Sequence, residues 1–271
     1  MNTTIDQDGH PRVAVITGGA GTIGTALCEA LALQGLRVVM LDLDSDRLHG
    51  ACQIHTERVG RPCTTVVADI STKRGAFTAI EQVIETHGKV DILVNNAATK
   101  SSSLESFFAP DVDYEESTWS EVMATNLSGA FYMCQAVGRG MIERRNGTII
   151  NIASIYGILG ADQRIYKGSQ YLGHTISSPA VYAASKAGLL GITRHLAAAW
   201  GPLGIRVNAV TPGGVKGEQN QQFIQNYSSR VPLGRMATVQ EVVMAIGFLA
   251  SEAAAYINGH NLIVDGGLTA W

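Results

Sequence analysis

The sequence predicts an α/β fold: a doubly wound parallel sheet of about seven strands with helices on both faces. Short apolar runs rich in β-branched residues recur at Val13–Thr17, Val38–Leu41, Thr65–Val67, Asp91–Val94, Thr148–Ile152, Ile205–Val210 and Leu262–Val264. Stretches with helical spacing separate most of them, among them Thr25–Leu33, Ser120–Val137 and Ala183–Trp200. The runs are continuously apolar rather than alternating, which marks strands covered on both faces. Such strands alternating with helices form a parallel sheet, whose ligands bind at the carboxyl ends of the strands.

Size sets the domain count. The chain has 271 residues, 46% hydrophobic and 16% charged, enough for one well-buried core. One domain over residues 12–271 is expected, preceded by a polar, acidic stretch, 1–11, that reads as a loose leader. A net charge of −3 gives no electrostatic footprint for nucleic acid or an anionic membrane. No apolar run reaches membrane-spanning length. Cys28, Cys52, Cys63 and Cys134 form no CxxC pair, so reduced thiols in the cytoplasm and no metal site are expected.

The first strand runs into Thr17-Gly-Gly-Ala-Gly-Thr-Ile-Gly24, and a helical stretch follows. Glycines there let the backbone approach a pyrophosphate, and free N–H groups at the helix start bind its charge. With an acidic residue at the end of the second strand, this is the pattern of a Rossmann-type dinucleotide site. That residue is Asp42, placed to accept from an adenosine ribose diol and to repel a 2′-phosphate. Leu43 follows it and the glycine loop carries no Lys or Arg, which favours NAD over NADP; Arg37 and Arg47 are the nearby cations that would oppose this. Asp42 as a plain helix cap is the alternative.

Further along, Tyr182 and Lys186 lie four residues apart in Tyr182-Ala-Ala-Ser-Lys186, on one face of a helix. A cation about 4 Å from a phenol favours phenolate by roughly 4 kcal/mol at an effective dielectric near 20, so a lowered tyrosine pKa and acid/base duty are expected.

Taken in order, the glycine loop, Asp69-Ile70, Asn95-Asn-Ala-Ala98, Asn126, Ser154, Tyr182-Ala-Ala-Ser-Lys186 and Asn208-Ala-Val-Thr-Pro-Gly213 resemble the short-chain dehydrogenase/reductase superfamily over about Arg12–Gly267. The resemblance implies that Ser154 holds the substrate oxygen and Tyr182 exchanges its proton. Lys186 would lower the tyrosine pKa and hold the nicotinamide ribose, and Asn126 would hold a water linking Lys186 to solvent. It also implies cofactor contacts from Gly18, Gly21, Thr22, Ile23 and Gly24, from Asp69 and Ile70 at the adenine, and from Asn96, Ala97 and Ala98 near the ribose. Pro212, Gly213 and Val215 would surround the nicotinamide. Asn95 and Asn96 would equally serve to brace the sheet. The chain departs from the family pattern at Gly21, one position early in the loop, at Ala98 for the usual glycine, and at Lys216-Gly217 for the usual threonine.

Ser154 and Tyr182 stand 28 positions apart, about twice the family's spacing. The extra segment, Ile155–Ala180, must leave the site and return, and so lies over or beside the substrate pocket. Its Arg164, Tyr166 and Lys167, with Gly214, are candidate substrate contacts suited to a polyhydroxylated or acidic sugar. Lys216–Arg230, with Phe223, Ile224 and Tyr227 at helical spacing, resembles the family's lid. The last helix and strand resemble its subunit contacts, implying a homotetramer, with a dimer as the alternative. An NAD-dependent oxidoreductase acting on a sugar, sugar acid or polyol is thus expected. The rivals are an NADPH-dependent 3-oxoacyl-thioester reductase and a non-catalytic NAD-binding regulatory or scaffold protein.

Overall fold

A computed structural model describes Ile5 and residues 9–271. Most of the 1–11 leader falls outside the described residues; Ile5 itself makes an antiparallel bridge to Pro11. Each of the seven predicted runs is a strand: β1 (Val13–Thr17), β2 (Arg37–Asp42), β3 (Thr64–Val67), β4 (Ile92–Asn95), β5 (Gly147–Ile152), then β8 (Ile205–Pro212) and β9 (Asn261–Val264). They form one sheet in the order β3-β2-β1-β4-β5-β8-β9, every neighbouring pair parallel. A separate two-stranded hairpin, β6 (Gln170–Tyr171) and β7 (His174–Thr175), lies in the extra segment.

The pleat divides the sheet's side chains between two cores. Ala14 and Ile16 of β1 and Val38 and Met40 of β2 pack under α1 (Thr22–Leu33), α2 (Ser45–Val59) and α9 (Val239–Ala250). Their neighbours Val13, Val15, Val39 and Leu41 face α3 (Lys73–His87), α6 (Ala130–Arg144) and α7 (Ala180–Trp200) on the other side. Burial on both faces is why the strands read as continuous apolar runs. Strand order reverses between β1 and β4, and the crevice above that switch is where such sheets take ligands.

The stretch Ser120–Val137 is not one straight helix. α5 (Glu116–Met123) passes through a π-helical turn, Ala124–Gly129, into α6, so Asn126 sits on a widened turn of the kind found at functional sites. A short α4 (Leu104–Phe107) precedes it, and α8 (Gln221–Ser228) fills the expected lid.

Candidate active site

The carboxyl ends of β1, β2 and β4 open onto a cleft of about 900 Å³. It is lined by Gly18, Gly21, Thr22, Ile23, Asp42, Leu43, Asp69, Ile70, Asn96, Ala97 and Ala98. Two glycines are fixed by geometry. Gly18 has φ +63°, and a Cβ there would stand 2.9 Å from the Ala97 backbone; on Gly24 it would run into the Gly18 carbonyl oxygen. Gly24 therefore shapes the loop and is absent from the lining. Asp42 accepts from the Ala20 amide at 3.1 Å and the Leu43 amide at 2.9 Å, which aims its carboxyl across the glycine loop. Arg47 also lines the cleft, whereas Arg37 opens β2 at the opposite edge of the sheet from Asp42 and cannot reach it.

The two asparagines after β4 brace the backbone. Asn95 donates to Asn151 Oδ1 at 2.9 Å inside the sheet, and Asn96 Nδ2 donates to the Thr17 and Gly18 carbonyls at 3.0 and 3.1 Å, locking the glycine loop. Asn126, 1% exposed, uses both ends of its amide on one neighbour: the Thr99 amide donates to Oδ1 at 2.8 Å and Nδ2 donates to the Thr99 carbonyl at 3.4 Å. That side chain fastens α5–α6 to the cleft wall, and one N–H and one oxygen lone pair of the amide are left over.

Ser154, just past β5, is 7% exposed and accepts at Oγ from the Tyr156 amide at 3.3 Å. Its hydroxyl lies beside the Tyr182 phenol and lowers the phenol's pKa. Tyr182 and Lys186 share one face of α7, and Lys186, 3% exposed, donates from Nζ to the Ile152 carbonyl at 2.8 Å. The expected sign at Tyr182 is reversed. Burial raises the phenol above its ordinary value and the Ser154 hydroxyl only partly offsets this. The ammonium is turned onto Ile152, 5.7 Å from the Tyr182 ring centre, and is itself brought down to about 8 by burial. Desolvation outweighs the attraction because both groups sit inside the protein.

Beyond β8, Gly213 donates to the Val264 carbonyl at 2.9 Å, Gly214 donates to the Tyr227 hydroxyl, and Val215 bridges to Ala237. Pro212 to Val215 is thereby held rigid at the sheet edge. A Cβ on Gly214 would strike the Tyr227 ring, so Gly214 lets the lid helix close over the loop instead of offering a side chain.

The segment 155–180 folds as helical turns Ile155–Gly157 and Gln163–Tyr166 followed by the β6–β7 hairpin. It shares a small core with α8, in which Ile155, Ile165 and Ile176 meet Phe223, Tyr227 and Val231. Asn226 of α8 donates to the Ile165 and Lys167 carbonyls at 3.0 and 3.1 Å. Tyr166 stacks at 5.6 Å on Phe223 and its hydroxyl is 2.6 Å from that of Tyr156. Of the expected cations, Arg164 has a side chain 77% exposed and pairs with Asp162, with Nε 2.8 Å from the carboxylate. Lys167 is likewise exposed. The polar turn needed its arginine for its own Asp162, a local pairing that composition does not reveal.

Sequence reasoning passed over Tyr156 and Lys100. Only a tyrosine two places after Ser154 pointed to the first. Lys100 lines the cofactor cleft with its Nζ 3.7 Å from the Tyr171 ring centre, tying the hairpin to the cleft wall. Among the described residues no cluster of His, Cys, Asp or Glu fits a metal ion, and no helix is long and apolar enough to cross a membrane.

Comparison with known proteins places this geometry. The model of a family described as Enoyl-(Acyl carrier protein) reductase matches residues 18–269. A D-threitol dehydrogenase of Mycolicibacterium smegmatis is 36% identical over 95% of this chain and 93% of its own. A 3-oxoacyl-[acyl-carrier-protein] reductase of Chlamydia trachomatis is 32% identical over 95% of this chain and 97% of its own. The crystal structure of a gluconate 5-dehydrogenase from Burkholderia cenocepacia, in complex with NADP and tartrate, superposes with a TM-score of 0.82 at 33% identity, covering 96% of both chains.

Proposed function

The chain belongs to the short-chain dehydrogenase/reductase superfamily, and from that premise we propose that it is an NAD-dependent enzyme interconverting a secondary alcohol and a carbonyl on a small sugar, sugar acid or polyol. The observation that carries the reading is the convergence of Ser154, Tyr182 and Lys186 at the strand ends, beside a cleft with the glycine cradle a dinucleotide needs. The glycine loop, shaped by the positive φ of Gly18 and the close approach of Gly24 to the Gly18 carbonyl, fits a pyrophosphate, and the Asp42 carboxylate fits a ribose diol. A nicotinamide bound there supplies or accepts the hydride.

The remaining steps are the protein's. Ser154 donates to the substrate oxygen and steadies the charge that grows on it. Tyr182 gives or takes the proton at that same oxygen. Lys186 stands one turn behind, a buried cation near 8 that retunes within the working pH range and holds the ribose side of the cofactor. Asn126 keeps the adjoining wall in place through Thr99. Asp69, Ile70 and Asn96 to Ala98 take the adenosine half, and Pro212, Gly213 and Val215 the nicotinamide half.

Asp42 favours NAD. Arg47 on the rim of the cleft favours a second reading, use of NADP, and with it the 3-oxoacyl-thioester reductase activity of the chlamydial relative. Met244, Phe248 and Ile263, exposed on α9 and the edge strand β9, support a homotetramer. Four free cysteines support a cytoplasmic location. Absorbance of NADH or NADPH over a panel of polyols, sugars, sugar acids and 3-oxoacyl thioesters tests the assignment. Turnover of a polyhydroxy compound with NAD is expected; thioester reduction with NADPH would replace the reading, and silence with NADH bound would leave a binding protein.

A further inference from the structure

Next to Ser154 stands a pair of hydrogen-bonded phenols that the reaction itself does not require. Tyr156 is two residues past Ser154, and its amide holds the Ser154 oxygen. Its hydroxyl is 2.6 Å from that of Tyr166. We propose that the Tyr156–Tyr166 pair binds a hydroxyl on the carbon next to the reacting one, so that the substrate is a neutral vicinal polyol and not a sugar acid. The inference rests on the alcohol/carbonyl reading above.

The argument is one of donors and acceptors. Two hydroxyls have two protons, and the bond between them consumes one, whichever way it points. One O–H is left over, together with unfilled oxygen lone pairs. A ligand hydroxyl, itself both donor and acceptor, satisfies both. Burial pushes both phenols up, Tyr166 to about 12, so the pair remains neutral over the working pH range. A carboxylate is a worse guest. It only accepts, and the nearest charges are engaged: Asp162 holds Arg164 at 2.8 Å and Arg230 at 3.0 Å. A buried pair left unmatched is costly, which is how a site built for a hydroxyl rejects an analogue lacking it.

The test compares 2,3-butanediol with 2-butanol, which differ by that neighbouring hydroxyl, and threitol with threonate, which differ by charge, using the full chain and NAD. The wild type is expected to prefer the diol by about a hundredfold or more in kcat/KM, and threitol over threonate. Tyr156→Phe should reduce the diol preference to about tenfold or less, leaving 2-butanol turnover and the Kd for NADH within about threefold. Tyr166→Phe should act in the same direction, and stands in where the first variant does not fold. A merely structural role would lower both alcohols alike. Unchanged diol preference in the folded variants, or no preference in the wild type, overturns the hydroxyl assignment alone. Equal use of threonate overturns neutrality, and turnover of neither alcohol overturns this inference and the alcohol reading together.

Discussion

Replacing Lys186 by Met should stabilise the fold while abolishing turnover, and pH makes the effect measurable. The ammonium is 3% exposed and titrates near 8 in the folded chain against an ordinary 10.5. Below pH 8 the lysine is charged in both states and burying that charge costs roughly 3 kcal/mol. Between about pH 8 and 10.5 the unfolded chain holds a proton the folded chain has released, so wild-type stability rises with pH. Integrated from pH 7 to 9.5, the gain is roughly 2 kcal/mol. Other groups titrate in this range too; the buried thiol of Cys134, pushed up to about 12, acts with the opposite sign. Methionine leaves all of them in place, so the difference between the two urea-denaturation series isolates Lys186. The variant should lead at pH 7 and the lead should shrink by roughly 2 kcal/mol by pH 9.5. Parallel curves would refute the reasoning, as would a variant less stable at pH 7 by more than the Ile152 hydrogen bond, about 1 kcal/mol, accounts for.

Other substitutions have equally definite outcomes. Tyr182→Phe should cost at least about a hundredfold in kcat while NADH still quenches or shifts protein fluorescence; near-normal kcat would remove Tyr182 from proton transfer. Asp42→Ala should narrow the ratio of kcat/KM for NAD over NADP by about tenfold to a hundredfold, the repulsion between a carboxylate and a phosphate a few ångströms apart; an unmoved ratio would point to Arg47. Leu172, 64% exposed with φ +48°, occupies the first position of a two-residue hairpin turn, where a branched side chain is strained. Leu172→Asn should therefore raise the denaturation midpoint by the equivalent of about 1 kcal/mol, and a fall would show that the leucine has a packing partner.

How much of this was legible in the residues varied with the range of the forces involved. The strands declared themselves because both faces are buried, and β1 was read to the residue. Helix starts were read late: α1 begins at Thr22 and not Thr25, α7 at Ala180 and not Ala183, since glycines flank the first turn of α1 and Pro179 precedes that of α7. The π-helical turn at Asn126 was not read from the apolar pattern, since it spans only Ala124–Gly129 between two regular helices. At the site, Tyr182 and Lys186 were recognisable from spacing, but the direction of the tyrosine's shift was not. Spacing reports which groups are neighbours, whereas the shift depends on how much water they lose, a property of everything packed around them. The pairing of Arg164 was hidden for a similar reason: two residues back, Asp162 claims it, and only the turn's geometry brings them together. The β6–β7 hairpin was unreadable, its turn being Leu172-Gly173 in place of an Asn-Gly signal.

The core shared by residues 155–180 and α8 bears on how substrate choice can change over generations or by design. Ile155, Ile165 and Ile176 on one segment and Phe223 and Tyr227 on the other bury each other. Transplanting the first segment alone into another scaffold would strand three isoleucines facing water, a loss on the order of 5 kcal/mol or more. The two stretches, separated by the whole of α7 and β8, are thus heritable only as a matched set, and a drift in one is viable when the other drifts with it.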